Sequence, residues 1–319
     1  YKYVKYPISL ARGAYWTGRA AEALSKKDAA IKWFSIAAKQ STTYYGQLAA
    51  THLNSKHLIQ FPVQPEPTPQ EVKDFQKLEL VKVIKVLNAV NAQEQMKHFI
   101  LALSDIQETT GWRLLTARLA TEYGRPDVGI IIAKKSSRQG EELIEVGYPL
   151  LKTPELKIRS SRTPPESSLV MAMIRQESAF YVRAKSHANA RGLMQILPST
   201  AKKVASILKM KFSKKRLTSD ANYNMILGQA YLAKLIDEFD GSYVMALAGY
   251  NAGPGRAHKW AKQNGSPRKK AIDTIDWIEM IPFKETRNYL QRVLENLQVY
   301  RMKLNKTVKV DSLKQDLVR

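Results

Sequence analysis

The 319-residue sequence contains no cysteine, which excludes disulfides and thiolate metal sites. Its five histidines are scattered, with no HExxH or other ligand spacing, so neither a metal nor another cofactor is expected. No apolar run reaches the roughly 18 residues that a bilayer span needs, and no leader pattern is visible before the first elements. Cysteine-free composition fits an exported protein that needs no staples. No stretch alternates apolar and polar residues over strand length, which points to an all-α fold. Acidic residues are few beside basic ones, 28 against 51, for a net charge of +23. Residues 1–155 hold 21 basic and 15 acidic residues, and residues 156–319 hold 30 and 13. The second half therefore carries most of the field. Nucleic acid, anionic lipid and another polyanion all fit such a charge, as does a plain lysine-rich surface. No nucleic-acid-binding motif accompanies it, so nucleic acid is not expected as a partner.

What is present reads as helices. Residues 8–24 and 27–39 form a helical hairpin in which Ala14, Gly18 and Ala21 allow two backbones to approach closely. Helices are predicted over "TYYGQLAATHL", "PQEVKDFQKLELVKVIKVLN", "AQEQMKHFILALSDI", "GWRLLTARLATEYG" and "PDVGIIIAKKSS". The four prolines of "FPVQPEPTPQEV" mark a loop. Residues 1–155 thus read as an α-superhelical array, a scaffold or docking surface with no catalytic constellation. The Pro-rich stretch up to residue 165 places a domain boundary there, with a second domain over 156–319. Thr163-Pro164-Pro165-Glu166 has the form of a capping box. The helix it opens carries an apolar stripe of Val170, Met173 and Ile174. Further helices are predicted near 198–210, 222–239, 242–250, 256–263 and 285–304.

Glu177 falls on the next position of that stripe. It either escapes to solvent or pairs with Arg175 at the helix end, or it is a catalytic acid whose partial burial keeps it protonated near neutral pH. The neighbouring blocks favour the acid. Gly192-Leu193-Met194-Gln195 puts flexible backbone beside a polar amide. Tyr250-Asn251-Ala252-Gly253-Pro254-Gly255 puts a phenol and an amide at a helix end. Such groups line carbohydrate grooves.

The ordered blocks ESAF, RGLMQILPSTA, GYNAGPG and IEMIPFKETRNYL, over roughly residues 165–305, resemble the catalytic domain of the soluble lytic transglycosylases, with its goose-lysozyme-like fold. The array resembles, more weakly, the superhelical region that precedes that domain. The resemblance implies a lysozyme-like helical catalytic domain with Glu177 as the single acid/base. It also implies Tyr250 near that glutamate, Glu279 as a second acid that orients structure and substrate, and Ser186, Met194, Gln195 and Asn251 along the groove. It implies a periplasmic location and peptidoglycan strands with stem peptides as the partner. The implied reaction cleaves the β-1,4 bond between N-acetylmuramic acid and N-acetylglucosamine, leaving a 1,6-anhydro ring. A lysozyme-type hydrolase on the same fold, with Glu279, Asp276 or Asp273 as base, is the nearest alternative. A scaffolding or binding protein with a degenerate site is another. Two departures from the family pattern bear on fine substrate preference. His187-Ala188-Asn189 stands where Pro-x-Gly is usual, and Gly249 where alanine is usual.

Overall fold

The computed structural model describes residues 4, 6–53, 62–156, 164–305 and 308–319. Among these there is no β-strand, and isolated bridges join Lys185 to Arg191 and Arg191 to Ile196. The chain is all-α, as expected. It opens with a hairpin, α1 (Pro7–Ala23) and α2 (Lys27–Ala38), followed by α3 (Tyr44–Leu53). Ala14, Gly18 and Ala21 are buried at the close approach. A Cβ on Gly18 would lie 2.7 Å from the Phe34 ring, so glycine is the residue that lets the two helices meet.

Six helices follow: α4 (Pro69–Lys77), α5 (Glu79–Ala89), α6 (Gln93–Ser104), α7 (Thr110–Glu122), α8 (Pro126–Ser137) and the short α9 (Ile144–Gly147). The predicted helix over 69–88 is two helices, because Leu78 turns extended at ψ 132° between them. Thr68 and Glu71 form a capping box at the start of α4.

Beyond the Pro-rich stretch come α10 (Ser167–Glu177), α11 (Pro198–Ile207), a 3₁₀ turn at Arg216–Thr218, α12 (Ala221–Glu238) and α13 (Tyr243–Ala252). The chain ends with α14 (Pro254–Asn264), α15 (Thr274–Glu279), α16 (Lys284–Asn305) and α17 (Ser312–Val318). Thr163 lies outside the described residues. Glu166 rather than Thr163 is the N-cap of α10, and both prolines precede the helix. The apolar stripe of α10 is also broader than the sequence pattern implies. Leu169 through Ile174 are all buried, so the helix is enclosed on every side and packs along α16.

The apolar core does not respect the Pro-rich stretch. One cluster joins Tyr15, Phe34, Tyr45 and Leu48 of α1–α3 to α10, α13 and α16. A second cluster holds α4–α9 together around Trp112, Ile84 and Ile100. Polar contacts stitch the first cluster. The Tyr44 N–H donates to the Glu295 carboxylate at 2.6 Å and the Gln47 amide to the Glu295 carbonyl at 3.2 Å. The array also reaches the loop after α10. Tyr181 donates to Glu94, and the Arg125 guanidinium sits 4.8 Å over the Tyr181 ring.

A fragment of residues 156–319 would strip α1–α3 from this shared core and expose the faces they cover. Its thermal midpoint is expected to fall roughly 10 °C below that of the 319-residue chain, the result of several kcal/mol at 2–4 °C each. Calorimetry of both proteins checks this. Equal midpoints would show that α1–α3 contribute nothing to the stability of the second half.

Candidate active site

Glu177 is the last residue of α10. The helix stops there because Ala179 and Phe180 adopt left-handed backbone, φ 49° and 65°. Two such residues in succession cost roughly 1–2 kcal/mol each. Local contacts offset this. The Phe180 ring is buried in the core, and the Ser178 hydroxyl donates to the Leu193 carbonyl at 2.8 Å.

The Glu177 side chain turns into the interior between α10, α13 and α16. Its Oε1 accepts the Tyr289 hydroxyl at 2.7 Å. Tyr250 lies close enough for the Glu177 charge to act on it, and its hydroxyl donates to the Met194 carbonyl at 2.7 Å. No cation pairs with Glu177 among the described residues. Arg175 is turned away, donating to the Gly147 carbonyl and the Asn296 amide and stacking 3.9 Å over Tyr148. Burial therefore pushes the Glu177 carboxyl up to about 7, with Glu285 adding to the rise and the Tyr289 hydrogen bond opposing it. The negative end of the α10 dipole acts in the same direction as burial.

Of the remaining sequence-predicted residues, Gln195 and Asn251 are each tied to a neighbouring element rather than to Glu177. The Gln195 amide donates to the Gly192 carbonyl at 2.8 Å, and the Asn251 side-chain Oδ1 accepts the Thr286 hydroxyl at 2.7 Å. Met194 is fully buried, and a Cβ on Gly228 would come within 2.4 Å of its sulfur, so its thioether sits in the core rather than on an open platform. Ser186 closes its own turn, its hydroxyl accepting the Ala190 N–H at 3.0 Å. Asn189 takes φ 66° in that turn. Asparagine tolerates this backbone, which accounts for its standing where the resemblance expects glycine. Gly192 is required sterically, since a Cβ there would strike the Leu217 carbonyl at 2.0 Å.

Glu279 is elsewhere. It accepts from Arg12 at 2.7 Å, from Gln291 at 2.8 Å and from Tyr45, at the seam with α1 and α3. Asp273 caps α15 and pairs with Arg19 at 3.1 Å. Burial and the Asp273 charge push Asp276 up. The sequence reading missed Tyr289, although it lies in the IEMIPFKETRNYL block. It also missed Asn224, which holds the Gly192 turn through the Met194 N–H and the Arg191 and Leu217 carbonyls. A separate cavity of about 680 Å³ opens where α1, α3 and α8 meet α10 and α16. Arg12, Lys134, Arg138, Arg175 and Arg292 line it, with Gln176 at its wall. Burial and the neighbouring Arg175 charge bring Lys134 down to about 8.

Residues 157–272 match the family described as the transglycosylase SLT domain, and residues 280–309 the soluble lytic transglycosylase helical domain. The soluble lytic murein transglycosylase of Salmonella typhimurium is 29% identical over 86% of this chain and 41% of its own length. An inactive glutamate-to-glutamine variant of a lytic transglycosylase from Pseudomonas aeruginosa superposes with a TM-score of 0.75 at 26% identity. That match covers 94% of this chain and 47% of the other. A 70 kDa soluble lytic transglycosylase in complex with bulgecin A shares the fold, at a TM-score of 0.76 and 23% identity, over 92% of this chain and 46% of its own. The chain spans about two fifths of the length of the curated relatives it matches. The resemblance to soluble lytic transglycosylases and the all-helical fold expected from it are borne out.

A carboxyl raised from 4.5 to about 7 has a consequence for stability. Below the lower value, folded and unfolded chains both hold the proton. As pH rises through the window, the unfolded chain ionises first and stability is lost, fully so above about 7. Glu177→Gln removes that cost. The variant is expected to match the parent's thermal stability near pH 4 and to exceed it at pH 8 by roughly 2 kcal/mol, a value reduced for the partial exposure of the side chain. A parallel offset at both pH values would contradict the raised carboxyl. Tyr289→Phe removes the one hydrogen bond that favours the ionised form, so the Glu177 titration is expected to move to higher pH, readable by carboxyl NMR.

Proposed function

We propose that this chain cleaves peptidoglycan glycan strands as a lytic transglycosylase, with Glu177 as acid and then base. The observation that carries the reading is a half-buried carboxyl bonded to a tyrosine hydroxyl at 2.7 Å, with no cation partner among the described residues, and burial pushes it up to about 7. A residue that donates and then accepts a proton works best with a pKa near the working pH. Protonated Glu177 gives its proton to the leaving glycosidic oxygen. The 2-acetamido group of the substrate supports the positive charge at C1. The ionised Glu177 then takes the proton of the C6 hydroxyl as that oxygen attacks C1. The intramolecular attack replaces water, because the nucleophile is already held on the reacting ring. Tyr289 steadies the ionised form between the two transfers. Tyr250, Gln195 and Asn251 border the reacting sugars, and the cationic cavity beside Gln176 suits the free carboxylates of stem peptides. Such a substrate places the protein in the periplasm. Residues 156–319 carry the chemistry, and residues 1–155 supply the array against which it is built.

A hydrolase on the same fold is favoured by one observation: Glu285 is the carboxylate whose charge acts on Glu177. In that reading Glu285 activates water. Glu279 and Asp273 are tied instead to Arg12 and Arg19.

Glu177→Gln is expected to lower turnover roughly 10²–10⁴-fold while glycan binding is retained, measured by muropeptide release from sacculi and by pull-down. Near-parental turnover would remove Glu177 from the mechanism. Digestion in heavy-oxygen water separates the two readings by mass spectrometry. Unlabelled 1,6-anhydro ends are expected, and labelled reducing ends as the main product would establish the hydrolase.

A further inference from the structure

The positive field noted in the sequence has a concentrated source in the stretch that follows the Gly192–Gln195 turn. Residues 197–219 contain six lysines and one arginine and no acidic residue. Lys202, Lys203, Lys209, Lys211, Lys214 and Lys215 are all exposed. None of the six ammonium groups makes a hydrogen bond or ion pair with any described residue. Arg216 is committed elsewhere, paired with Asp220 at 2.8 Å and lying 4.2 Å over the Tyr223 ring.

These lysines stand on a fixed lobe with its own small core of Ile196, Val204, Leu217, Tyr223 and Leu227. The Tyr223 hydroxyl accepts the Ser213 N–H at 2.9 Å and donates to the Lys211 carbonyl at 3.1 Å, pinning the loop that carries the charges. The lobe also presents apolar surface among the cations. Ile207 is 64% exposed and Leu197, just before α11, is 42% exposed. On α11 the positions Ser199, Lys202, Lys203, Ser206 and Ile207 form one exposed face at helical spacing.

We propose that this lobe is an adhesion surface for anionic phospholipid, on which the protein docks peripherally. Six unpaired lysines answer the negative surface potential of a leaflet. The exposed isoleucine decides between lipid and polymer. A phosphate or carboxylate polymer gains nothing from it, whereas at a bilayer it enters the boundary between headgroups and acyl chains while the flanking lysines stay at the headgroups. α11 has ten residues, far fewer than the roughly 20 a bilayer span needs, so the attachment lies on the surface and leaves the leaflet intact. The lysines take no part in the proposed chemistry, and this inference stands whether or not the catalytic reading does.

Co-sedimentation of the full chain with vesicles tests it. Vesicles one-third phosphatidylglycerol in phosphatidylcholine are expected to bind the protein at low salt and release it at high salt. Pure phosphatidylcholine vesicles are expected to bind little. Lys202→Gln with Lys203→Gln should lower partitioning roughly 25-fold, about 5-fold per lysine. Ile207→Ser keeps every charge and should lower it roughly 10-fold. Unchanged thermal midpoints would show both variants folded. Equal binding to the two vesicle types would overturn the proposal. Loss of binding in the lysine variant with none in Ile207→Ser would also overturn it, and would assign the lobe to a polyanion, as would equal loss on polyphosphate beads.

Discussion

A single half-buried carboxyl with no counter-ion among the described residues sets the terms for the structure around it. α10 is enclosed from Ser168 to Ile174, and its two ends are treated oppositely. At the start, Glu166 meets Arg301 in a two-pronged pair, 2.6 and 3.0 Å, and Arg301 continues to Asp316. Arg301 draws Glu166 down despite its burial. At the end, Glu177 has only a tyrosine hydroxyl and is raised instead. Two glutamates on one helix thus hold opposite protonation preferences near neutral pH, set by which of them was given an arginine.

Holding an unpaired carboxyl in place requires rigidity that hydrogen bonds to Glu177 itself do not provide. The surroundings supply it. Asn224 fixes the Gly192 turn through three backbone groups, and Thr286 pins Asn251 to the start of α16. The left-handed pair Ala179–Phe180 lets the chain leave α10 at once and carry Phe180 back into the core. The strain and the function are neighbours, as is common where a side chain must be aimed rather than merely accommodated.

Local signals explain what could be read from the sequence. The α1–α2 packing was legible because small residues at three- and four-residue spacing have few other uses. Glu177 was legible because a carboxylate interrupts an apolar periodicity. The break at Leu78 was not, since neither proline nor glycine marks it and the turn is imposed by packing of α4 and α5. Tyr289 carries no local signal. Its meaning depends on α16 folding back on a helix 112 residues earlier. Glu279 stands in a legible motif, but its partners Arg12 and Tyr45 come from the opposite end of the chain. The resemblance put Met194 along the groove, and enclosure beside Gly228 puts it in the core. A Pro-rich stretch reports where the backbone cannot be regular. It does not report which apolar faces meet, so the shared core across it was invisible.

That shared core has a consequence for how the protein is made. Arg12 waits for Glu279, 267 residues later, and Tyr44 for Glu295, 251 residues later. At roughly 5–20 residues per second of synthesis, α1–α3 stand without their partners for about 13–50 s. Until its end Tyr15, Phe34 and Tyr45 have no cover from α16, whereas α4–α9 close around their own core as they emerge. α4–α9 are thus able to settle before α1–α3, whose faces toward α16 close only when that helix arrives.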